Sequence, residues 1–142
     1  MADLTMPVRP QRVADWQEAL AALVVQRLNS RFVWGHTDCV IFAADAMLAI
    51  TGEDPLDTMR GQWTDLSTAG RAIAAVGGFE QALQDRGFAR IEPLFAQRGD
   101  VVVYAGDGGP ALAVCMGDSL VAPGEFGLQR MSMLRGESAW RK

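Results

Sequence analysis

The chain is poor in the residues that most often carry chemistry. It has one His, two Cys and one Tyr, and its only Lys is residue 142. One His and two Cys far apart in sequence cannot form a ligand cluster, so no metal site is expected, and no motif calls for a cofactor. Basic residues number 13 against 17 acids, for a net charge of −4, and the Arg residues are scattered. A nucleic-acid partner is excluded on that ground, because phosphate recognition needs clustered cations. No apolar run approaches the roughly 20 residues of a membrane-spanning helix, so no span is expected. The opening stretch "MADLTMPVRPQRVADW" has no apolar core of signal-peptide length. Cys39 and Cys115 are therefore expected to be reduced thiols in a protein made in a bacterial cytoplasm.

What is present fits one ordinary domain. The 142 residues are 49% hydrophobic, and the 15 glycines fall between apolar runs, where they end elements. Residues 1–10, with Pro7 and Pro10, read as a flexible arm before a domain at 11–142. Val13, Trp16, Leu20, Leu23, Val24 and Leu28 recur at helical spacing, which predicts a first helix over about 11–28. Thr37 and Asp38 offer capping oxygens for "CVIFAADAMLAI", a helix apolar on nearly every side, hence central, and closed by Gly52. Asp65 or Ser67 caps "TAGRAIAAV", and "FEQALQDRG" forms a fourth helix closed by Gly87. After Pro93 the period shortens. "GDVVVYA" and "PALAVCMG" read as a hairpin joined by "GDGG", followed by strands in "SLVAPG" and "GLQRMSM". The expected fold is α+β: N-terminal helices packed on a small antiparallel sheet over about residues 99–131. The closing "ESAWRK", like the N-terminal arm, reads as a free segment able to reach neighbouring subunits.

Chemistry concentrates in "FVWGHTDCVIFAADAM", residues 32–47. A thiol at the start of the central helix sits where backbone N–H groups favour a thiolate, while the adjacent Asp38 disfavours it. From the residues alone, a small buried side chain is the preferred reading of Cys39 over a nucleophile. His36 is the one candidate base. It would have to fold back across its own helix cap, so a loop histidine is preferred. Asp45, inside an apolar helix, requires a partner, and Arg60 or Arg98 is expected to provide it rather than a ligand. Trp34, Trp63 and Trp140 read as core or docking residues. "GDSL" at 117–120 has the letters of an esterase signature but lies between strands with no downstream His, and "RGD" at 98–100 reads as a strand start.

In order and spacing these motifs resemble the NlpC-type peptidases, papain-like cysteine hydrolases of peptidoglycan stem peptides. They are more similar still to an uncharacterised phage and prophage family related to them. The resemblance rests on "WGHTDCVIFAAD", "TGEDP", "MRGQW", "RGDVVV", "PALAVCMGD" and "AWR", and runs from about Trp16 to Arg141. It implies a papain-like, NlpC-type fold with Cys39 at the nucleophile position. Trp34 and Asp38 become its flanks, with Gly99 and Asp100 at the strand start. Where that family carries its catalytic His, this chain aligns Ala111. Loss of a general base removes about 10²–10⁴ in rate. The resemblance thus implies a pseudo-hydrolase, with tail-tip proteins as partners and incorporation in the virion tail. An active peptidase on peptidoglycan, using Cys39 with His36, is the alternative, and a binding module unrelated to virions is a third.

Overall fold

The computed structural model describes residues 12–142, so the expected arm at 1–10 lies outside the described residues. Among the described residues it is an α+β fold of four helices and a six-stranded antiparallel sheet. The helices are α1 (Trp16–Arg27), α2 (Cys39–Thr51), α3 (Leu66–Ala75) and α4 (Phe79–Asp85). The strands are β1 (Ala89–Ile91), β2 (Val101–Gly106), β3 (Gly109–Cys115), β4 (Leu120–Gly124), β5 (Gly127–Met131) and β6 (Gly136–Arg141), in the spatial order β1-β6-β2-β3-β4-β5.

α2 has the bounds its caps dictate. Asp38 is extended and accepts the Ile41 N–H, and Gly52 closes the helix in the left-handed conformation at φ 78°. Asp65, not Ser67, caps α3, in a capping box with Thr68. α1 starts later than its periodicity suggests. Val13 is drawn off the helix, because its N–H is donated to the carbonyl of Ile50 in the last turn of α2 at 2.9 Å. The β2–β3 hairpin closes on Gly106↔Gly109, with Asp107-Gly108 as its two-residue turn.

Two strands escape the sequence reading. β1 is only three residues long, and β6 comes from the closing segment expected to be free. β6 lies between β1 and β2 and buries Ser138, Ala139 and Trp140, so "ESAWRK" is a central strand and not a docking tail. Its residues are weak strand formers, and pairing on both sides overrides that preference.

The sheet separates two cores. Leu112 and Val114 of β3, with Val101 and Val103 of β2, face α1 and α2 and pack with Leu20, Phe42, Met47 and Ile50. The alternate residues Val102, Tyr104, Ala113 and Cys115 face the other way. No α-helix is packed in that second core. Its partners there include Ala96 and Met133, from or beside two 3₁₀ turns, Pro93–Phe95 and Met133–Arg135.

Asp100, fully buried at the head of β2, ties the sheet's two halves. Arg141 of β6 donates to both its oxygens, at 3.0 and 2.8 Å, and the Gln97 N–H adds a third bond at 2.8 Å. This pair accounts for both "RGD" and "AWR". Arg141→Met strands a buried carboxylate and is expected to lower the unfolding free energy by about 3 kcal/mol. Urea titration checks it. A loss below about 1 kcal/mol would show that Arg12, 4.0 Å from Asp100, suffices as the counter-charge.

Candidate functional site at the head of the central helix

The segment before α2 is a turn pinned by its own side chains. Thr37 Oγ1 accepts the Val33 N–H at 2.7 Å and donates to the Arg31 carbonyl at 2.6 Å. Asp38 follows, fully buried, and its carboxylate collects three N–H donors. Ile41 N–H reaches Oδ1 at 3.0 Å, while Gly35 N–H and the Trp63 indole N–H both reach Oδ2 at 2.7 Å. Gly35, at φ +82°, has no room for a side chain, because a Cβ there would lie 2.4 Å from the Trp63 carbonyl oxygen. "WGHTDC" and "MRGQW" are therefore one structural unit. Nothing in the sequence signals the Asp38–Trp63 bond, since the two residues are 25 apart.

Cys39, the first residue of α2, is partly accessible, yet its thiol is dominated by the packed protein around it. Burial pushes its pKa up to about 11, and the charge of Asp38 adds to the rise. The backbone N–H groups of Leu112, Cys39 and Val40 oppose the shift without reversing it. The β3–β4 ladder covers only Val114↔Val121 and Cys115↔Leu120. The Leu112 stretch of β3 thus has no β4 partner, and its backbone lies beside Cys39. At neutral pH about one thiol in ten thousand is ionised.

The other candidates do not gather round that sulfur. His36 is exposed on the turn, its ring makes no hydrogen bond to Cys39, and only its backbone N–H is used, by the Val33 carbonyl at 3.0 Å. Ala111 does not face Cys39. It belongs with the alternate β3 residues on the far side of the sheet, because facing reverses at each step of a strand. The β3 positions that share Leu112's parity are Pro110 and Val114, and none of these can accept a proton. Trp34 stacks edge-on against Phe32, with ring centroids 4.8 Å apart. Asp45 is an ion-pair hub. Arg60 pairs with it at 2.7 Å, as expected, and its second partner is Arg27, not Arg98. Helix α1 brings Arg27 in, a contact the helical periodicity alone does not reveal.

One influence across the sheet was not foreseen. The phenol of Tyr104, on the far face of β2, is raised in pKa, first by burial and next by the negative charge Cys39 would carry as a thiolate. A phenol held in its neutral form is no base. Cys115 is the second free thiol, buried beneath the 3₁₀ turn that carries Met133, with its sulfur 3.7 Å from the Met133 sulfur. Ser119 of "GDSL" sits in the bend between β3 and β4, against Asp118 at 3.1 Å. Among the described residues no group of three or more His, Cys, Asp or Glu could hold a metal ion, and no helix is long and apolar enough to cross a membrane.

The fold and site define an α+β domain with a half-buried cysteine at the head of its central helix. Residues 11–142 match the profile of a family described as Domain of unknown function (DUF6950), and the chain belongs to that family. No curated protein matches the chain.

Two outcomes test this geometry. Asp38→Ala removes the cap and leaves the Trp63 and Gly35 donors buried, with an expected loss of roughly 3 kcal/mol in denaturant unfolding. Alkylation of Cys39 by iodoacetamide is expected to be negligible at pH 7 and to climb toward pH 11. Because the folded pKa is raised, this thiol's contribution to stability is complete below about pH 9 and is lost as pH rises through 11. Cys39→Ala should flatten that part of the stability profile, leaving the smaller slope due to Cys115. A fast-labelling Cys39 at pH 7 would contradict the arrangement.

Proposed function

We propose that this chain is a non-catalytic, NlpC-like structural component of a phage or prophage tail tip. The observation that carries the non-catalytic half is the environment of the sulfur. It lies beside the Leu112 stretch of β3, with no imidazole hydrogen-bonded to it and no side-chain base on that face of the strand. A cysteine at the head of a central helix, set against an antiparallel sheet, is the layout that the motif resemblance implies. Without its base, that layout keeps the frame and lacks the proton transfer.

The tail-tip half rests on the resemblance, and one surface supports it. Leu94 (64%), Phe95 (73%) and Leu134 (79%) are highly exposed on the 3₁₀ turns behind the sheet, away from the helices. These turns pack against each other and rim a shallow recess with Pro93 and Gly136. Large apolar side chains so gathered suit contact with a neighbouring subunit. The competing reading is an active cysteine peptidase on peptidoglycan stem peptides, with Cys39 as nucleophile. It draws on the three backbone N–H groups around the sulfur, which burial outweighs.

Purified particles from the source are expected to contain the chain, and particles carrying Cys39→Ala to remain infectious. The double variant Leu94→Glu, Leu134→Glu should fold normally by circular dichroism and lose incorporation at least tenfold. Release of stem-peptide fragments by the native chain, abolished by Cys39→Ala and not by Cys115→Ala, would establish the peptidase instead. Absence from particles together with no cell-wall turnover would leave a binding module outside virions.

A further inference from the structure

Beside the head of α2, residues of α2, α3, α4, the 55–63 loop and strands β2 and β3 line a half-open cavity of about 80 Å³. Met47, Leu56, Met59, Trp63, Val76 and Phe79 are among its lining residues, and the lining carries one charged group, Arg86. That guanidinium is half-buried. It donates to the Pro55 carbonyl at 3.3 Å, the Ala82 carbonyl at 3.1 Å and the Met59 thioether sulfur at 3.1 Å. Among the described residues no carboxylate pairs with it. A thioether is a weak acceptor, so a cation resting on one beside an apolar void is short of an anion.

Arg86 also borders a second, more polar recess of about 190 Å³, which shares Met47, Pro55 and Phe88 with the first and adds Thr51, Glu53, Asp54 and Lys142. The cation therefore stands at the boundary between a dry space and a wet one. Lys142 brings a second positive charge to the same mouth, with its ammonium 5.3 Å from the Phe88 ring centre. Of the two acids there, Asp54 is already neutralised by Arg60 at 2.6 Å, and Glu53 is exposed to solvent screening.

We propose that this cavity binds a small carboxylate with an apolar body, a single ring or a short branched chain, whose carboxylate takes the place of the Met59 sulfur as the acceptor of Arg86. The apolar wall supplies the driving force, since dry cavities lined by aliphatic and aromatic side chains take up benzene-sized molecules from water. Arg86 supplies selectivity, because a guanidinium matches the two oxygens of a carboxylate in plane. The flexible Met47 and Met59 side chains allow the wall to fit a ring. The charged anchor of the site is Arg86 and not Cys39, so the site stands whether or not the tail-tip reading holds.

The test titrates the full chain with benzoate, with benzyl alcohol as the neutral comparison and acetate as the ringless one, following the methyl resonances of Met47 and Met59. Benzoate is expected to shift both saturably and to bind at least tenfold tighter than either comparison. In Arg86→Met the gap between benzoate and benzyl alcohol should close while the alcohol still binds. Ala82→Leu, which fills the cavity from the short helix α4, should weaken both ring ligands. Equal affinities for benzoate and benzyl alcohol, acetate binding as well as benzoate, or no saturable shift at either methionine would each overturn the proposal. The native-chain comparison needs no variant to fold.

Discussion

The head of this domain is organised by one carboxylate. Asp38 has no access to water and answers three N–H donors from three parts of the chain: the turn at Gly35, the first turn of α2 at Ile41, and the indole of Trp63. An ionised group in that setting is tolerable only while every donor stays in place. The cap of the buried helix, the path of the chain into it and the wall of the apolar cavity beyond are thus conditions on one another. The same charge lies next to Cys39 and raises the cost of a thiolate there. What makes the helix start well therefore makes the thiol a poor nucleophile.

A second buried carboxylate, Asp100, does for the sheet what Asp38 does for the helix. It joins the first residues of β2 to Arg141 in β6, across 41 positions of sequence. Both acids sit at the start of an element. Each takes two or more donors from elsewhere, and each stands next to a glycine turn or within three residues of one. Acid-centred knots of this sort hold the ends of the elements together, while apolar packing holds their middles.

Legibility in the sequence follows the range of the interaction. Helix α2 could be bounded from local signals alone, because Asp38 and Gly52 act within one turn of themselves. The β2–β3 hairpin and the strands after it were equally local. β6 was not legible, since Gly-Glu-Ser-Ala-Trp-Arg has little intrinsic taste for a strand and is made one by β1 and β2 on either side. The partners of Asp45 were half legible: Arg60 lies in the next loop, whereas Arg27 arrives through the packing of α1 on α2. The position opposite Cys39 failed for a sharper reason. Motif spacing pointed to Ala111, and a slip of one residue along a strand moves the side chain through the sheet. On the face that Leu112 presents, Pro110, Leu112 and Val114 offer no proton acceptor either. Trp63, Tyr104 and Arg86 meet their neighbours through long-range contacts that leave no periodic or motif signature.

The placement of β6 between β1 and β2 also orders events during synthesis. When the β2–β3 hairpin and then β4 and β5 have emerged and paired, the other edge of β2, Val101 to Val103, still has no neighbour. It stays an apolar, unpaired ribbon until Gly136–Arg141, about ten residues beyond the end of β5, has been translated and can enter. A ribosome that stalls or terminates within that interval releases a chain with this apolar edge uncovered, so nascent chains arrested there are ones a cell would need to hold or destroy.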